Sequence, residues 1–164
     1  IPVFQQYFKF LSHGSETVGI TYVSQFSGES FRDSFKTALD RDRAAQYCTM
    51  GIHKDDLEFI LDGYPVKKFG SQGQQKSFVI AIKLAQFEYT RNIKGFKPIL
   101  LLDDVFDKLD DLRVSQLIKL VSENSFGQVF ITDTNRERIS TIFDSMEIDH
   151  KIFELPVEFE DLEI

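Results

Sequence analysis

Two stretches of this sequence hold residues whose types and spacing can do chemistry. One is Ile99-Leu100-Leu101-Leu102-Asp103-Asp104, an apolar run that ends in two acids. Paired carboxylates leaving a strand suit a Mg²⁺ ion and a polarised water, the needs of nucleotide hydrolysis. A plainer account competes with this one, because buried strands often end in Asp where a turn requires it. The other stretch is Ser71-Gln72-Gly73-Gln74-Gln75-Lys76. Ser71 stands three residues before Gln74 and ahead of a helical pattern, the spacing of a capping box. A capping box accounts for both residues but not for Gly73, since glycine inside a helix costs about 1 kcal/mol relative to alanine. A bare amide at a helix N-terminus lets an anion approach the backbone, with the helix dipole assisting. Cap and phosphate site are compatible.

The elements that must position these residues follow from periodicity. The unbroken run 99–102 predicts a strand buried on both faces of a parallel sheet, with Pro98 at its start. Ligands of open α/β sheets bind at the carboxyl ends of such strands. Phe78, Ala81, Ile82, Leu84, Ala85 and Tyr89 predict a helix from Ser71 to about Asn92. Beyond the acids, Leu112, Leu117, Ile118 and Val121 predict a helix and 128–132 a strand. Ile139, Ile142 and Phe143 predict a short helix, and 151–155 a third strand. From residue 97 onward this is the strand-helix-strand order of a parallel sheet. Upstream, Val3, Phe4, Tyr7, Phe8 and Leu11 have helical spacing. Residues 12–15 break that pattern, and 16–25 alternate as a half-buried strand. Ser27-Gly28 predicts a turn, and Phe31, Phe35, Ala38 and Leu39 a second helix. Residues 57–61 predict a strand, Asp62-Gly63 a hairpin turn and 66–69 the returning strand. The tail 158–164 is acidic.

Composition sets bounds. The 164 residues suffice for one domain with a core, and 17 Phe with no Trp predict a core built largely of Phe. A formal charge of −7 argues against bulk electrostatic attraction to nucleic acid, so any such contact has to be a local patch. The single cysteine, Cys48, permits no internal disulfide and fits a reducing compartment. No apolar run approaches the roughly 20 residues that span a bilayer. The opening Ile1-Pro2-Val3-Phe4 has neither Met nor a basic segment, as expected for a piece of a longer chain without a signal peptide.

The motifs resemble those of a known superfamily. Ser71 to Lys76 at a helix start is similar to the signature motif of ABC-type ATPases, and Ile99 to Asp104 to their Walker B strand. Leu109-Asp110 resembles the D-loop. Leu-Leu-Leu-Asp-Asp-Val-Phe, the signature, and a preceding Gly-x-His-x-Asp-Asp-Leu at 51–57 together resemble the RecF family of bacterial DNA-repair ATPases. The likeness runs from about Phe4 to Leu155.

This resemblance implies an α/β fold: the C-terminal half of an ABC-type P-loop NTPase head, a parallel sheet with flanking helices, plus part of a smaller α+β lobe. Residues 1–70 then belong to the smaller lobe (lobe II), 71–96 to the signature helix and its connection, 97–155 to the second half of the nucleotide-binding core, and 156–164 to an acidic tail. Asp103 is implied to hold Mg²⁺ and Asp104 to orient or activate the attacking water. Ser71, Gly73 and Gln74 are implied to touch the γ-phosphate of ATP held by a second subunit, with Asp110 at the interface between the two sites. The implied partners are DNA (duplex or single-stranded/double-stranded junctions), a second copy in an ATP-dependent homodimer, and a RecR-like recombination mediator. No membrane is implied, and the implied setting is the bacterial cytoplasm, at the nucleoid. The parent is expected to be a slow DNA-dependent ATPase acting in replication, gap repair and recombination.

Several positions depart from the pattern. No Gly-x-x-x-x-Gly-Lys-Ser/Thr phosphate loop occurs among these residues, so this stretch alone is expected to be inactive. Asp133 stands where many ABC proteins have a switch His, and Ile52 and Lys54 where this family has Pro and Arg. The phosphate-loop strand of the ABC core lies between those expected at 128–132 and 151–155. Without it, 151–155 is expected to be displaced, to close onto 128–132, or to pair between molecules, because an open dry gap leaves amides unpaired. Two alternatives stand beside this reading: an SMC-type head, disfavoured by the absence of coiled-coil heptads in 1–70, and a non-catalytic DNA- or protein-binding module of the same fold. The remaining candidates have plain readings. His13 fits a turn, His150 a strand edge, and His53 a local bond to the Asp55-Asp56 region. Lys67-Lys68 and the Arg32, Lys36, Arg41 and Arg43 group fit solvated faces more than phosphate contacts.

Overall fold

A computed structural model describes residues 1–14, 16–26, 30–123, 126–145 and 149–155. The expected turn at Ser27-Gly28, the end of the 12–15 break and the acidic tail lie outside them. The elements in order are α1 (Pro2–Leu11), β1 (Val18–Val23), α2 (Phe31–Ala45), a 3₁₀ turn (Ile52–Lys54), β2 (Asp56–Leu61) and β3 (Tyr64–Pro65). Then follow α3 (Val66–Phe69), α4 (Gln72–Lys94), β4 (Leu100–Leu102), α5 (Asp111–Ser122), β5 (Val129–Ile131) and α6 (Arg136–Ser145).

Strands β1, β2 and β3 form an antiparallel meander in which Val18 faces Leu61 and Val23 faces Asp56. Strands β4 and β5 pair in parallel, Leu100 beside Val129 and Leu102 beside Ile131, with α5 as the crossover. Helix α4 lies between the two sheets in sequence and in packing. Its Phe78 ring stands 4.7 Å from Phe4 and 5.7 Å from Phe8 of α1, and 5.3 Å from Phe59 of β2. At its other end Phe87 stands 4.9 Å from Phe126, just before β5. The buried cluster continues through Leu84, Leu100, Leu102, Phe106, Val114, Leu117 and Ile118. The expected phenylalanine core is present only in part: six phenylalanines are buried beside eight leucines, and seven others among the described residues are exposed. The rings of Phe4, Phe8 and Phe78 pack α1 on α4 in the tilted and edge-on geometries aromatic pairs favour.

Three expectations are corrected. Residues 66–69 are helical, and the return of the hairpin is only Tyr64–Pro65. Pro65 has no N–H to extend the ladder and its fixed φ of −59° opens a helical turn instead. Strand β4 is not covered on both faces: Leu100 and Leu102 are 6% exposed, whereas Ile99 and Leu101 are 59% and 71% exposed. The helices lie on one side, and nothing among the described residues covers the other. Residues 151–155 form no strand, so β5 is an outer strand among the described residues. The segment is displaced from the sheet, with Glu154 paired to Arg136 of α6 and the Lys151 ammonium 4.9 Å from the Phe153 ring. His150, expected at that strand's edge, packs on Phe143.

Candidate functional site

The start of α4 has the expected capping box. The Ser71 hydroxyl accepts from the Gln74 amide at 3.2 Å, and the Gln74 side-chain oxygen accepts from the Ser71 amide at 2.7 Å. Ser71 is extended (φ −62°, ψ 163°), which sets its side chain over the first turn. Gly73 has a reason the sequence did not reveal. A Cβ there would stand 3.0 Å from the Lys108 carbonyl oxygen, so any side chain would have to push the loop after β4 back by a few tenths of an ångström.

The two acids follow β4 directly. Thr132, the residue after β5, orders both: its hydroxyl donates to Asp103 Oδ1 and accepts from the Asp104 amide at 3.0 Å. The Thr132 amide donates to the Leu102 carbonyl at 3.0 Å, which carries the parallel ladder up to the acids. Asp104 has φ +45°, a left-handed conformation that Asp tolerates better than most residues. There the chain turns off the strand axis. The Lys76 ammonium donates to the Asp104 carbonyl at 2.8 Å, tying the signature turn to the loop after the acids.

Asp110 closes that loop by capping α5. One of its oxygens accepts from the Arg113 amide at 2.8 Å and the other lies 3.3 Å from Arg113 Nε. The structure thus gathers the predicted residues onto one connected unit: Ser71, Gly73 and Gln74 on the α4 turn, Asp103 and Asp104 at the end of β4, and Asp110 at the start of α5. The bonds joining these groups run through residues the sequence reading missed. Lys76 and Thr132 are two, and Arg113 with Glu16 are a third link. Thr132 was legible as the end of a strand, and Arg113 as an i+3 partner of Asp110. Glu16 lies 97 positions from Arg113 and carries no local signal.

Asp103 is exposed, and Thr132 bonds one of its two oxygens. A hard carboxylate oxygen open to solvent fits Mg²⁺, which is commonly held by one or two carboxylates together with substrate phosphates. The exposed Ser71 turn at the N-terminus of the 23-residue α4 likewise fits a phosphate.

Several titratable groups of α1 and the antiparallel sheet region have displaced pKa values. Asp42 is held below the usual carboxylate range first by the Thr49 hydroxyl, and Asp55 first by the Tyr22 hydroxyl. Tyr22 is raised by the same bond, and Tyr7 by burial. His53 bonds the Cys48 carbonyl at 3.0 Å rather than the expected Asp55-Asp56 region, because the 3₁₀ turn folds its ring back over Gly51. Lys36 and Arg43 pair with Asp33 and Asp40 on their own exposed helix, as a solvated face does.

No family model matches this chain. Its fold is similar to that of a solved structure of the recombination mediator protein RecF with ATP, from the RecFOR pathway, with a TM-score of 0.61 and 24% identity. That match covers 83% of this chain and 40% of the other. A Smc head domain from Pyrococcus furiosus matches at a TM-score of 0.50 and 20% identity, over 86% of this chain and 29% of that one. By fold, then, the chain is an α/β unit like part of these RecF and Smc head structures. Sequence narrows the class. A DNA replication and repair protein RecF of Flavobacterium johnsoniae is 46% identical over 155 residues, 94% of this chain and 43% of the relative. RecF of Bacteroides thetaiotaomicron is 45% identical over 153 residues, 93% of this chain and 42% of the relative. Over nearly all of its own length the chain is thus similar to part of these RecF proteins, and it spans less than half the length of these relatives.

Proposed function

We propose that this chain supplies the signature, Walker B and D-loop parts of an ATP-dependent DNA-binding protein of replication, gap repair and recombination. The observation that supports it most is the connected unit itself. In a chain about 45% identical to RecF proteins, Lys76 and the Gly73 approach join the α4 cap to the loop that carries the acids. Residues 1–70 serve as part of a smaller lobe, 71–96 as the signature helix and connection, and 97–155 as half of the nucleotide core. In this reading Asp103 holds Mg²⁺, which supplies charge neutralisation at the phosphates. Asp104 orients the attacking water. The Ser71 hydroxyl and the free amides of the α4 turn face the γ-phosphate of ATP on a second copy, and Asp110 lies between the two sites. Dispersed phosphoryl charge is met by metal, amides and positioned polar groups rather than by covalent chemistry. The protein works in the cytoplasm, on DNA and with a RecR-like mediator. No described helix is long and apolar enough to cross a membrane.

The test is made in the full-length protein. Ser71→Arg is expected to leave ATP binding by the monomer intact and to block ATP-dependent dimerisation, followed by sedimentation. Asp104→Asn is expected to do the reverse, with dimers that form and persist because hydrolysis stalls. Loss of nucleotide binding by the Ser71→Arg monomer contradicts the assignment of the signature to the partner's ATP.

A further inference from the structure

Arg113 sits in the first turn of α5, where its guanidinium is shared among three elements. Nε lies 3.3 Å from the Asp110 carboxylate, and one terminal nitrogen donates to the Ser77 hydroxyl on α4 at 2.9 Å. The other terminal nitrogen meets both oxygens of Glu16, at 3.2 and 3.4 Å. Glu16 belongs to neither motif and stands just before β1 in the antiparallel sheet. Its Oε1 also accepts from the side-chain nitrogen of Gln74 at 2.6 Å. Gln74 in turn closes the cap on Ser71. One chain of bonds therefore runs from the Asp110 loop through Arg113 and Glu16 to the signature turn.

The pair is secluded. The side chains of Arg113 and Glu16 are 14% and 12% exposed, whereas Asp110 is 62% exposed. A buried ion pair is weak evidence of stabilisation, since apolar side chains of similar volume often serve stability as well. What it supplies that they do not is a fixed geometry. The flat guanidinium fork presents donors in set directions, so three acceptors on three elements are held in one relation. The Gln74 amide is also engaged at both ends, its oxygen by Ser71 and its nitrogen by Glu16. Its place in the site is to aim the Ser71 turn rather than to reach outward on its own.

We propose that Arg113 and Glu16 form a positioning latch that holds the signature turn and the Asp110 loop in register. The face offered to the second copy's nucleotide is thereby assembled before that copy arrives. This rests on the functional reading above, since the latch matters only if the Ser71 turn and Asp110 meet a partner together. Preassembly lowers the ordering cost of association.

The experiment uses the full-length protein with Mg-ATP and compares Glu16→Gln, Arg113→Lys, Arg113→Met and the Glu16→Gln/Arg113→Met double variant. The expected result is dimerisation weakened about tenfold in Glu16→Gln and Arg113→Met, with less loss in Arg113→Lys. ATP binding by the monomers stays within about twofold of the unaltered protein, and the double variant is no weaker than the worse single one. Variants that dimerise like the unaltered protein overturn the latch and leave the functional reading standing. So do losses that simply multiply in the double variant. Loss of ATP binding by the monomers in step with dimerisation also overturns it, by showing a merely structural role. Failure of the unaltered protein to dimerise with ATP overturns the functional reading, and the latch falls with it.

Discussion

In the antiparallel half, α2 buries only Ser34 and Ala38, while Phe31, Phe35 and Leu39 stand substantially exposed on the same helix. Its rings stack on Phe26 and on one another, and its loops are tied by polar bonds such as Asp42 to Thr49 and Tyr22 to Asp55. In the parallel half, α5 buries Val114, Leu117, Ile118, Leu120 and Val121 against the same cluster that receives Leu100 and Leu102. Nearly every proposed site residue hangs on this second, packed half or on α4 beside it. A site that must hold carboxylates and a helix cap in register gains from elements whose rotamers are locked by packing. The looser half contributes one buried contact to the site, through Glu16.

The contrast makes graded predictions. The largest effect is expected from Leu117→Ala, where a fully buried side chain leaves a cavity costing about 2–5 kcal/mol. Leu39→Ala on α2 is expected to change stability by no more than about 0.5–1 kcal/mol in the same urea titration. Equal losses from the two break the comparison. The same test works within β4 itself. Leu100→Ala is expected to cost about 2–4 kcal/mol and its neighbour Leu101→Ala less than about 0.5 kcal/mol, because only one face is covered. An equal cost at Leu101 shows that its face is covered in solution.

Gly73→Ala sharpens the comparison at the site. The added methyl gains helix propensity but presses on the Lys108 carbonyl, and the net loss is expected to be about 1–2 kcal/mol by thermal unfolding. A gain in stability shows that the loop after the acids gives way and is not held against α4. The smallest effect is the acid dependence of the antiparallel half. Folding lowers the pKa values of Asp42 and Asp55, so the folded chain binds fewer protons than the unfolded chain near pH 4. Their contribution is fully present above the unfolded carboxylate value of about 3.9 and is lost as pH falls through the lower folded values. The melting temperature between pH 5 and 2.5 is therefore expected to fall less steeply in Asp42→Asn and Asp55→Asn than in the unaltered chain. Unchanged steepness shows that these exposed bonds contribute nothing.

Much of this was legible from local pattern. The capping box at Ser71 and Gln74, the amphipathic α1, α4 and α5, the strands β1 and β2 though not their pairing, and the strand leading to Asp103 and Asp104 all follow from spacing within a few residues. Local rules carry such features because a cap or an apolar stripe is decided within one or two helical turns. The hairpin return was misread because Val66 and Phe69 look like strand residues, while Pro65 ends the ladder and opens a helix. The burial of β4 was misread because an unbroken apolar run shows what both faces are able to bury, not what covers them.

The sequence by itself determined the residue types: two acids after an apolar strand, a serine and a glycine at a helix start, and an aspartate placed to cap the next helix. Only the tertiary structure decided how they are joined. Gly73 lies against a carbonyl 35 positions away, a contact seen only when α4 and the loop at Lys108 are packed together. Thr132 reaches Asp103 because parallel pairing sets β5 beside β4 in one register. Glu16 meets Arg113 and Gln74 because α1 and the antiparallel sheet pack on α4, and no spacing rule spans 97 residues. Local hydrogen bonds and periodicity are written over a few residues, whereas these contacts depend on loop closure that only the completed core holds in place.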